Sequence, residues 1–299
     1  MDILTHAGIG LIAATPLLNS HPELAIGVAA GSVLPDLDAL GRLFGKRAFL
    51  KLHQTWSHAL PVQGLFSMLA GFLAGSSGVD GLSLGIGLFV GLALHTALDF
   101  SNTLGVTLLA PFSKRRFCLE WVFFIDAFLL VFTAVLMCLS LWMFYAVEEV
   151  PGWYAGVYFG TMVIYLAIKG VLRLRAGKTS AQAISLIPSS LWPWRFYGVV
   201  ASGDRVARFQ INALTGRSIQ LVEQEVFDTA FAEVVAKSPE FKLMRELSPF
   251  YHVVSAKKTE AGEILRCQDL RTRNFQTTFG DLELLLDADK NLIQTKFYV

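Results

Sequence analysis

VFFIDAFLLVFTAVLMCLSLWMFYAV, residues 122–147, decides the fold class: it is overwhelmingly apolar and carries a single charged side chain, Asp126. A helix of about 20 apolar residues crosses a hydrocarbon core of about 30 Å, so this stretch reads as a membrane span. Residues 153–172 read the same way. Outward from these two, the glycine-rich stretches 62–78 and 82–98 make two further candidates. The shorter stretches 7–18 and 24–40, rich in Gly and Ala, fit two spans, a helical hairpin or a re-entrant pair. Between them Asn19-Ser20-His21-Pro22-Glu23 breaks the helix. The expectation is a mainly α fold, a polytopic transmembrane helical bundle of about six hydrophobic segments over residues 1–177.

Composition agrees. The chain is 54% hydrophobic and only 16% charged, against roughly 25% charged in an ordinary soluble domain. Mean hydropathy is +0.51. A net charge of +1 gives no case for a nucleic-acid partner. Cys118, Cys138 and Cys267 are scattered, which argues against both a disulfide framework and a cysteine metal site. The opening Met1-Asp2-Ile3-Leu4-Thr5-His6 lacks the basic start of a secretory signal, and none is expected. After about Gly177 the pattern changes to strand-like alternation, at Arg195–Val200 and Arg205–Ile211, with turn signals at Ser202-Gly203-Asp204 and Leu214-Thr215-Gly216. A helix is expected near 226–247, and further strands near 250–257, 263–270, 274–286 and 292–298. Residues 178–299 therefore read as a C-terminal α+β cytoplasmic domain.

Charge sets the orientation. Arg42, Lys46, Arg47 and Lys51, then Lys114, Arg115 and Arg116, then Lys169, Arg173, Arg175 and Lys178 fall on one face, while the alternate loops carry only Glu23, Asp80, Glu148 and Glu149. The positive-inside rule puts the basic face and both termini in the cytoplasm of a bacterial inner membrane protein. The same topology gathers His6, Asp36, Asp38, His53, His58, His95, Asp99, Glu120 and Asp126 at that face, although none of them entered the rule. Ionisable groups beside a bilayer are costly, and a set of them is a functional-site hypothesis by default.

Their chemistry points to a metal. His95 and Asp99 are four apart, so on a helix they share a face. Asp36 and Asp38 would repel each other unless a cation or a proton lies between them. Imidazole and carboxylate without thiolate suit zinc or a related divalent ion. His6, Asp38, His53, His58, His95 and Asp99 are the expected ligands, enough for one or two ions. Metal-activated water would then attack a phosphoester, conceivably a phospholipid, with Asp36 or Asp126 as general base. Blander readings stand beside this one. A single membrane histidine is often only hydrogen-bonded, Asp-x-Asp can cap a helix, Asp126 can bond between helices, and Trp56 and Trp121 fit an interfacial belt. His21, on the opposite face, and His252, in the soluble domain, fall outside the set. The alternatives for the whole protein are a non-catalytic metal-binding membrane protein, structural or sensing, and a transporter. A transporter would place its polar groups at mid-bilayer rather than at one face.

The motifs also resemble a family. His53-Gln54-Thr55-Trp56-Ser57-His58 is similar to the His-Arg-Gly-x-Ser/Thr-His signature of the bacterial YdjM/YfhP-like membrane proteins, with Gln54-Thr55 standing where the family has Arg-Gly. His95-x-x-x-Asp99-x-x-Asn102-Thr103-x-Gly105 with Pro111-Phe112, Leu34-Pro35-Asp36-Leu37-Asp38, Asp2-x-x-Thr5-His6 and Phe124-Ile125-Asp126 resemble its other elements, over roughly residues 1–175. The resemblance implies a membrane-bound, metal-dependent hydrolase. The family's arginine after the first histidine, a residue able to meet substrate phosphate, is Gln54 here, which leaves substrate type open while the ligands are intact.

Overall fold

The computed structural model describes residues 2–52, 55–147, 150–180, 183, 185–248, 250–259, 262–271 and 280–298. The chain divides into two compact units, Met1–Val171 with Ser189–Pro193, and Leu172–Pro188 with Trp194–Val299.

The first unit is helical. α1 (Ile3–Ala14) starts at Asp2, whose carboxylate accepts from Thr5 N at 2.8 Å and Thr5 Oγ1 at 2.7 Å, an N-cap that fixes the first turn and buries His6. α2 (Pro22–Gly31) begins on a proline, whose fixed φ suits a first helical position. A 3-10 stretch Leu34–Phe44 follows, then α3 (Lys46–Leu52) and a one-turn 3-10 helix Trp56–His58. α4 (Leu60–Ser76) and α5 (Gly81–Ser101) form a hairpin, with Asp80 capping α5 through Ser83 N at 3.1 Å. α6 (Ala127–Val147) and α7 (Gly152–Thr179) complete the unit, the end of α7 passing into the second.

Six spans are not what the structure shows. Among the described residues three helices, Gly81–Ser101, Ala127–Ala146 and Gly152–Thr179, are long and apolar enough to cross a membrane. A fourth exists only if Pro22–Gly31 and Leu34–Phe44, bent by 40°, count as one span. The reason is length. The 17 residues of Leu60–Ser76 rise about 25 Å, short of a core of about 30 Å, and Ile3–Leu17 is shorter still. Residues 24–40 are interrupted where Pro35 interferes with helical continuity and the chain tightens to a 3-10 helix. Lipid-facing surfaces are evident nonetheless. Leu65, Phe72, Val131, Trp142 and Ile164 are all exposed, and only 17% of the Ala127–Ala146 window is buried. Such faces are untenable in water and neutral against acyl chains.

Lys169 also changes place. Counted among loop cations by sequence, it lies inside α7, fully buried, with Nζ 3.6 Å from Asp126 Oδ2.

α2 and α5 touch backbone to backbone. A Cβ at Gly31 would lie 2.4 Å from Leu88 O, and one at Gly91 2.3 Å from Val28 O; Gly27 and Gly87 are as tightly placed. Small residues permit this close approach in membranes, where dispersion contacts rather than water exclusion drive helix pairing. The contact carries the C-terminal end of α2 to the last turns of α5.

The second unit holds two four-stranded antiparallel meanders. The first runs β1 (Ser185–Pro188), β2 (Arg195–Ser202), β3 (Arg205–Asn212) and β4 (Arg217–Glu225); the second runs β5 (Tyr251–Thr259), β6 (Gly262–Asp269), β7 (Leu282–Leu286) and β8 (Leu292–Phe297). Ser202 pairs with Arg205 across a two-residue turn in which Gly203 takes φ +59°, as the hairpin geometry requires. The single helix expected near 226–247 is two short ones, α8 (Ala232–Val235) and α9 (Pro239–Leu247), because Ser238 caps the second and Pro239 opens it. Of the strand expected at 274–286, Leu282–Leu286 is observed, and residues 274–279 lie outside the described residues. Val199, Val206, Val226, Phe250 and Leu270 form one of the unit's apolar clusters.

Replacing Gly31 or Gly91 with alanine is expected to overpack the α2–α5 contact at a cost of about 1–3 kcal/mol. The thermal midpoint in detergent should fall for both. Gly156→Ala, where an added Cβ meets nothing within 4 Å, should leave it unchanged or raise it.

Candidate metal centre

The α2–α5 contact brings four side chains together. Asp36, His58, His95 and Asp99 each offer one ligand atom, and these atoms all lie within 4.8 Å of one another. Asp36 comes from the 3-10 stretch after α2, His58 from the turn before α4, and His95 and Asp99 from the same face of α5. His58, His95 and Asp99 are completely buried; the Asp36 side chain keeps 10% exposure.

The outer hydrogen bonds decide which atoms carry protons. His95 Nδ1 lies 2.8 Å from Ser32 O, a carbonyl that only accepts, so Nδ1 holds the proton and Nε2 a lone pair. Ser57 Oγ donates its one proton to Asp38 Oδ2 at 2.6 Å and therefore accepts from His58 Nδ1 at 2.9 Å. His58 Nε2 is thus a lone pair as well. Asp99 Oδ1 takes His6 Nε2–H and Asn102 Nδ2–H, both at 3.2 Å, and turns Oδ2 inward. His58 Nε2 then faces His95 Nε2 and Asp99 Oδ2 at 3.1 Å each, and His95 Nε2 faces Asp99 Oδ2 at 3.8 Å and Asp36 Oδ1 at 3.6 Å. Lone pairs converging in a buried space repel one another, and a cation removes the repulsion. The donor set is two imidazole nitrogens with carboxylate oxygens. His58, His95 and Asp99 are each held from behind by a partner of the kind that orients metal ligands, so the residues fit a metal ion.

Most sequence candidates lie at this cluster, in altered positions. His6 is behind Asp99, its ring stacked on His95 with centroids 3.7 Å apart, and its Nδ1 is buried with no hydrogen-bond partner. Asp36 and Asp38 exchange the expected positions. Asp36 belongs to the converging group, while Asp38 stands behind His58, with Oδ2 3.6 Å from Nδ1. Sequence spacing could not separate them, because the 3-10 geometry of Leu34–Phe44 sets which carboxylate turns inward. His53 lies outside the described residues.

Asp126 does not join the group. It caps α6 through Leu129 N at 3.2 Å, and its two oxygens accept from Tyr165 Oη at 2.9 and 3.0 Å beside the Lys169 ammonium. This is an interhelical lock between α6 and α7. The lysine inside an apolar segment was the available signal for it. His252 is bonded elsewhere, with Nδ1 2.7 Å from Asp228 Oδ2.

Ser32 was not singled out by sequence, and Ser57, Asn102 and Arg116 entered only as motif or loop residues without a role at the site, three of the four because they act on ligands rather than as ligands. Arg116 donates to Gly105 O at 3.1 Å. Burial draws its guanidinium below the ordinary value, and the charge of Asp38 opposes that.

The model of the YdjM inner membrane protein family matches residues 1–176, so more than half of the chain. The chain belongs to the YdjM inner membrane protein family. It is also similar to the uncharacterized protein YfhP of Bacillus subtilis (strain 168), 28% identical over 153 residues. That match covers 48% of this chain and 46% of YfhP, so the chain spans less than half of the relative's length. No solved structure matches. The family match covers the helices that carry the cluster, and the protein is a membrane protein with a site able to hold a metal ion.

His95→Ala and Asp99→Ala should each abolish retention of divalent metal through purification. Ser57→Ala should weaken affinity by about 10–100-fold, the usual effect of losing a ligand's outer partner. Asp126→Asn should keep the metal but lose about 3–5 kcal/mol of stability, because it removes the carboxylate paired with the buried Lys169 ammonium and the tyrosine hydroxyl. Metal analysis beside thermal unfolding separates the two classes; equal metal in wild type and the His95 and Asp99 variants would remove the metal centre.

Proposed function

We propose that this YdjM-family protein is a metal-dependent hydrolase of phosphoesters in the bacterial inner membrane. One observation carries the reading: three fully buried ligand atoms converge from His58, His95 and Asp99, while the fourth member, Asp36, keeps contact with solvent. His58, His95 and Asp99 supply three ligands, and Asp36, whose carboxylate also converges on them, stands at the solvent-contacting side; three protein ligands with one position open is the arrangement of a catalytic zinc, whereas structural sites are closed by four. Zinc is the divalent ion that best suits this donor set, and when bound it supplies Lewis acidity and an activated water.

The remaining work falls to the protein. His58 and His95 are held in the ligating tautomer by Ser57 and the Ser32 carbonyl. His6 and Asn102 hold Asp99. Asp36, at the open side, takes the proton from the attacking water as general base. Arg116, whose charge interacts with Asp38, supplies a cation for phosphate oxygens. The excess of Lys and Arg in the loops places this site and both termini at the cytoplasmic face of a multi-pass protein.

A second reading has support in the full burial of His58, His95 and Asp99, which also suits an ion that only holds helices together. Two measurements separate them. Purified protein supplied with zinc or manganese should hydrolyse a soluble phosphodiester such as bis(p-nitrophenyl) phosphate. Asp36→Asn should lower kcat by about 10²–10⁴-fold, the range of a general base. Arg116→Ala should mainly raise KM. No turnover with any divalent ion, together with unfolding on chelation, would leave the structural reading in its place. For the orientation, a fluorescent protein fused after Val299 should be bright and an alkaline phosphatase fusion silent; the opposite pattern refutes it.

A further inference from the structure

α4 and α5 enclose more than their own packing. Between them runs a groove of about 750 Å³, lined by Gly64, Ser67, Met68, Phe72, Ile86 and Phe89 and floored by the glycines of both helices. From Gly64 to Ser76 it follows α4 for about 18 Å at 1.5 Å per residue, more than half of a hydrocarbon core of about 30 Å. Its walls Met68 and Phe72 are 73% and 74% exposed, so the groove opens toward lipid.

One end lies close to the metal cluster. Phe89 precedes His95 on α5 by about 9 Å at 1.5 Å per residue. On α4, Gln63, Ser67 and Gly71 share the buried face that looks toward α5. Gln63 Nε2 donates to Ser57 O at 2.8 Å and Thr96 Oγ1 at 2.7 Å, which ties this face to the turn that carries His58. Gln63 Oε1 and Ser67 Oγ are both buried without a hydrogen-bond partner, though each residue is only 2% exposed. A buried hydroxyl normally has a hydrogen-bond partner, so an unmet one points to a group that meets it. The sequence of surfaces is therefore ligand cluster, two unmet polar atoms, then an apolar channel.

We infer that the groove seats an acyl chain of a glycerophospholipid whose phosphate lies at the metal cluster, which makes a membrane phospholipid the substrate. This rests on the hydrolase reading above. The polar atoms favour a lipid over a second copy of the chain. A membrane helix satisfies its own backbone groups, so a second copy could meet Ser67 only through a polar side chain set opposite it, whereas the ester carbonyl of a glycerophospholipid accepts from the Ser67 hydroxyl while its acyl chain meets the apolar lining. The apolar stretch then meets hydrocarbon, as its lining requires.

The test uses the full chain in nanodiscs of phosphatidylethanolamine and phosphatidylglycerol, doped with a phospholipid carrying a diazirine midway along one acyl chain. Gly64→Phe and Gly75→Phe fill the groove. An added Cβ meets only the Phe89 ring at 3.8 Å in the first and Gly81 Cα at 3.9 Å in the second, so neither clashes with backbone at that atom. Retained metal and monodisperse elution report folding. Photolabel in wild type should concentrate on Met68, Phe72, Leu82, Ile86 and Phe89. Because the phenyl ring occupies the space the acyl chain would fill, either variant should reduce labelling there by about tenfold or more. Label spread evenly over lipid-facing helices, or unchanged in both variants, overturns the inference, as does cross-linking between two copies through the groove. Labelling needs no turnover, so the two readings fail separately. Hydrolysis of the soluble diester without groove labelling overturns the groove alone. Groove labelling without hydrolysis of either the diester or the lipid supports the seat and overturns its use in catalysis.

Discussion

The metal cluster depends on the contact between α2 and α5, where Gly27 and Gly31 lie against Gly87 and Gly91 with no room for a Cβ. Backbone meets backbone there, so the end of α2 arrives at the last turns of α5 in a fixed register. That register sets the Ser32 carbonyl behind His95 and delivers the 3-10 stretch bearing Asp36 to the open side of the cluster. Larger residues would separate the helices, and the bond from His95 Nδ1 to Ser32 O would be the first to break. In a bilayer no water-driven collapse compensates for a poor fit, so the glycines carry more of the burden than they would in a soluble core.

Once the helices are placed, the hydrogen bonds around the cluster all act in the same sense. A carbonyl and a serine oxygen accept from the outer nitrogens of two histidines, and two donors hold the outer oxygen of Asp99. Each bond leaves an electron pair turned inward. Such a centre is costly as an empty polar cavity in an apolar surround and stable around a cation. The second buried charge system, Asp126 with Tyr165 and Lys169, contrasts with it because it contains its own cation. The same residue types thus form a site able to hold a metal in one place and tie two helices together in another, according to whether a lysine is within reach.

Much of this was legible in the chain. Long apolar runs announced a membrane protein, and the asymmetry of Lys and Arg drew His6, Asp36, His58, His95 and Asp99 to one side before any contact was known. The count of spans was not legible, because hydropathy does not register that Leu60–Ser76 is a few residues too short or that the chain tightens after Gly31. Lys169 was misplaced for a related reason: a charge rule sees a cation near a span's end but not the carboxylate opposite it. In the C-terminal unit the hairpin at Gly203 was plain from its turn residues, whereas β4 was not expected and its burial does not alternate.

The sequence by itself determined the class of protein, the chemistry of the donor set and the i, i+4 pairing of His95 with Asp99, since these follow from composition, residue type and helical period. Tertiary structure alone decided that Asp36 rather than Asp38 turns inward, that Asp126 belongs to a helix lock, and that Ser32 and Ser57 fix the tautomers. Each of those depends on distances between segments far apart in the chain, and only the packing of one helix against another sets such distances.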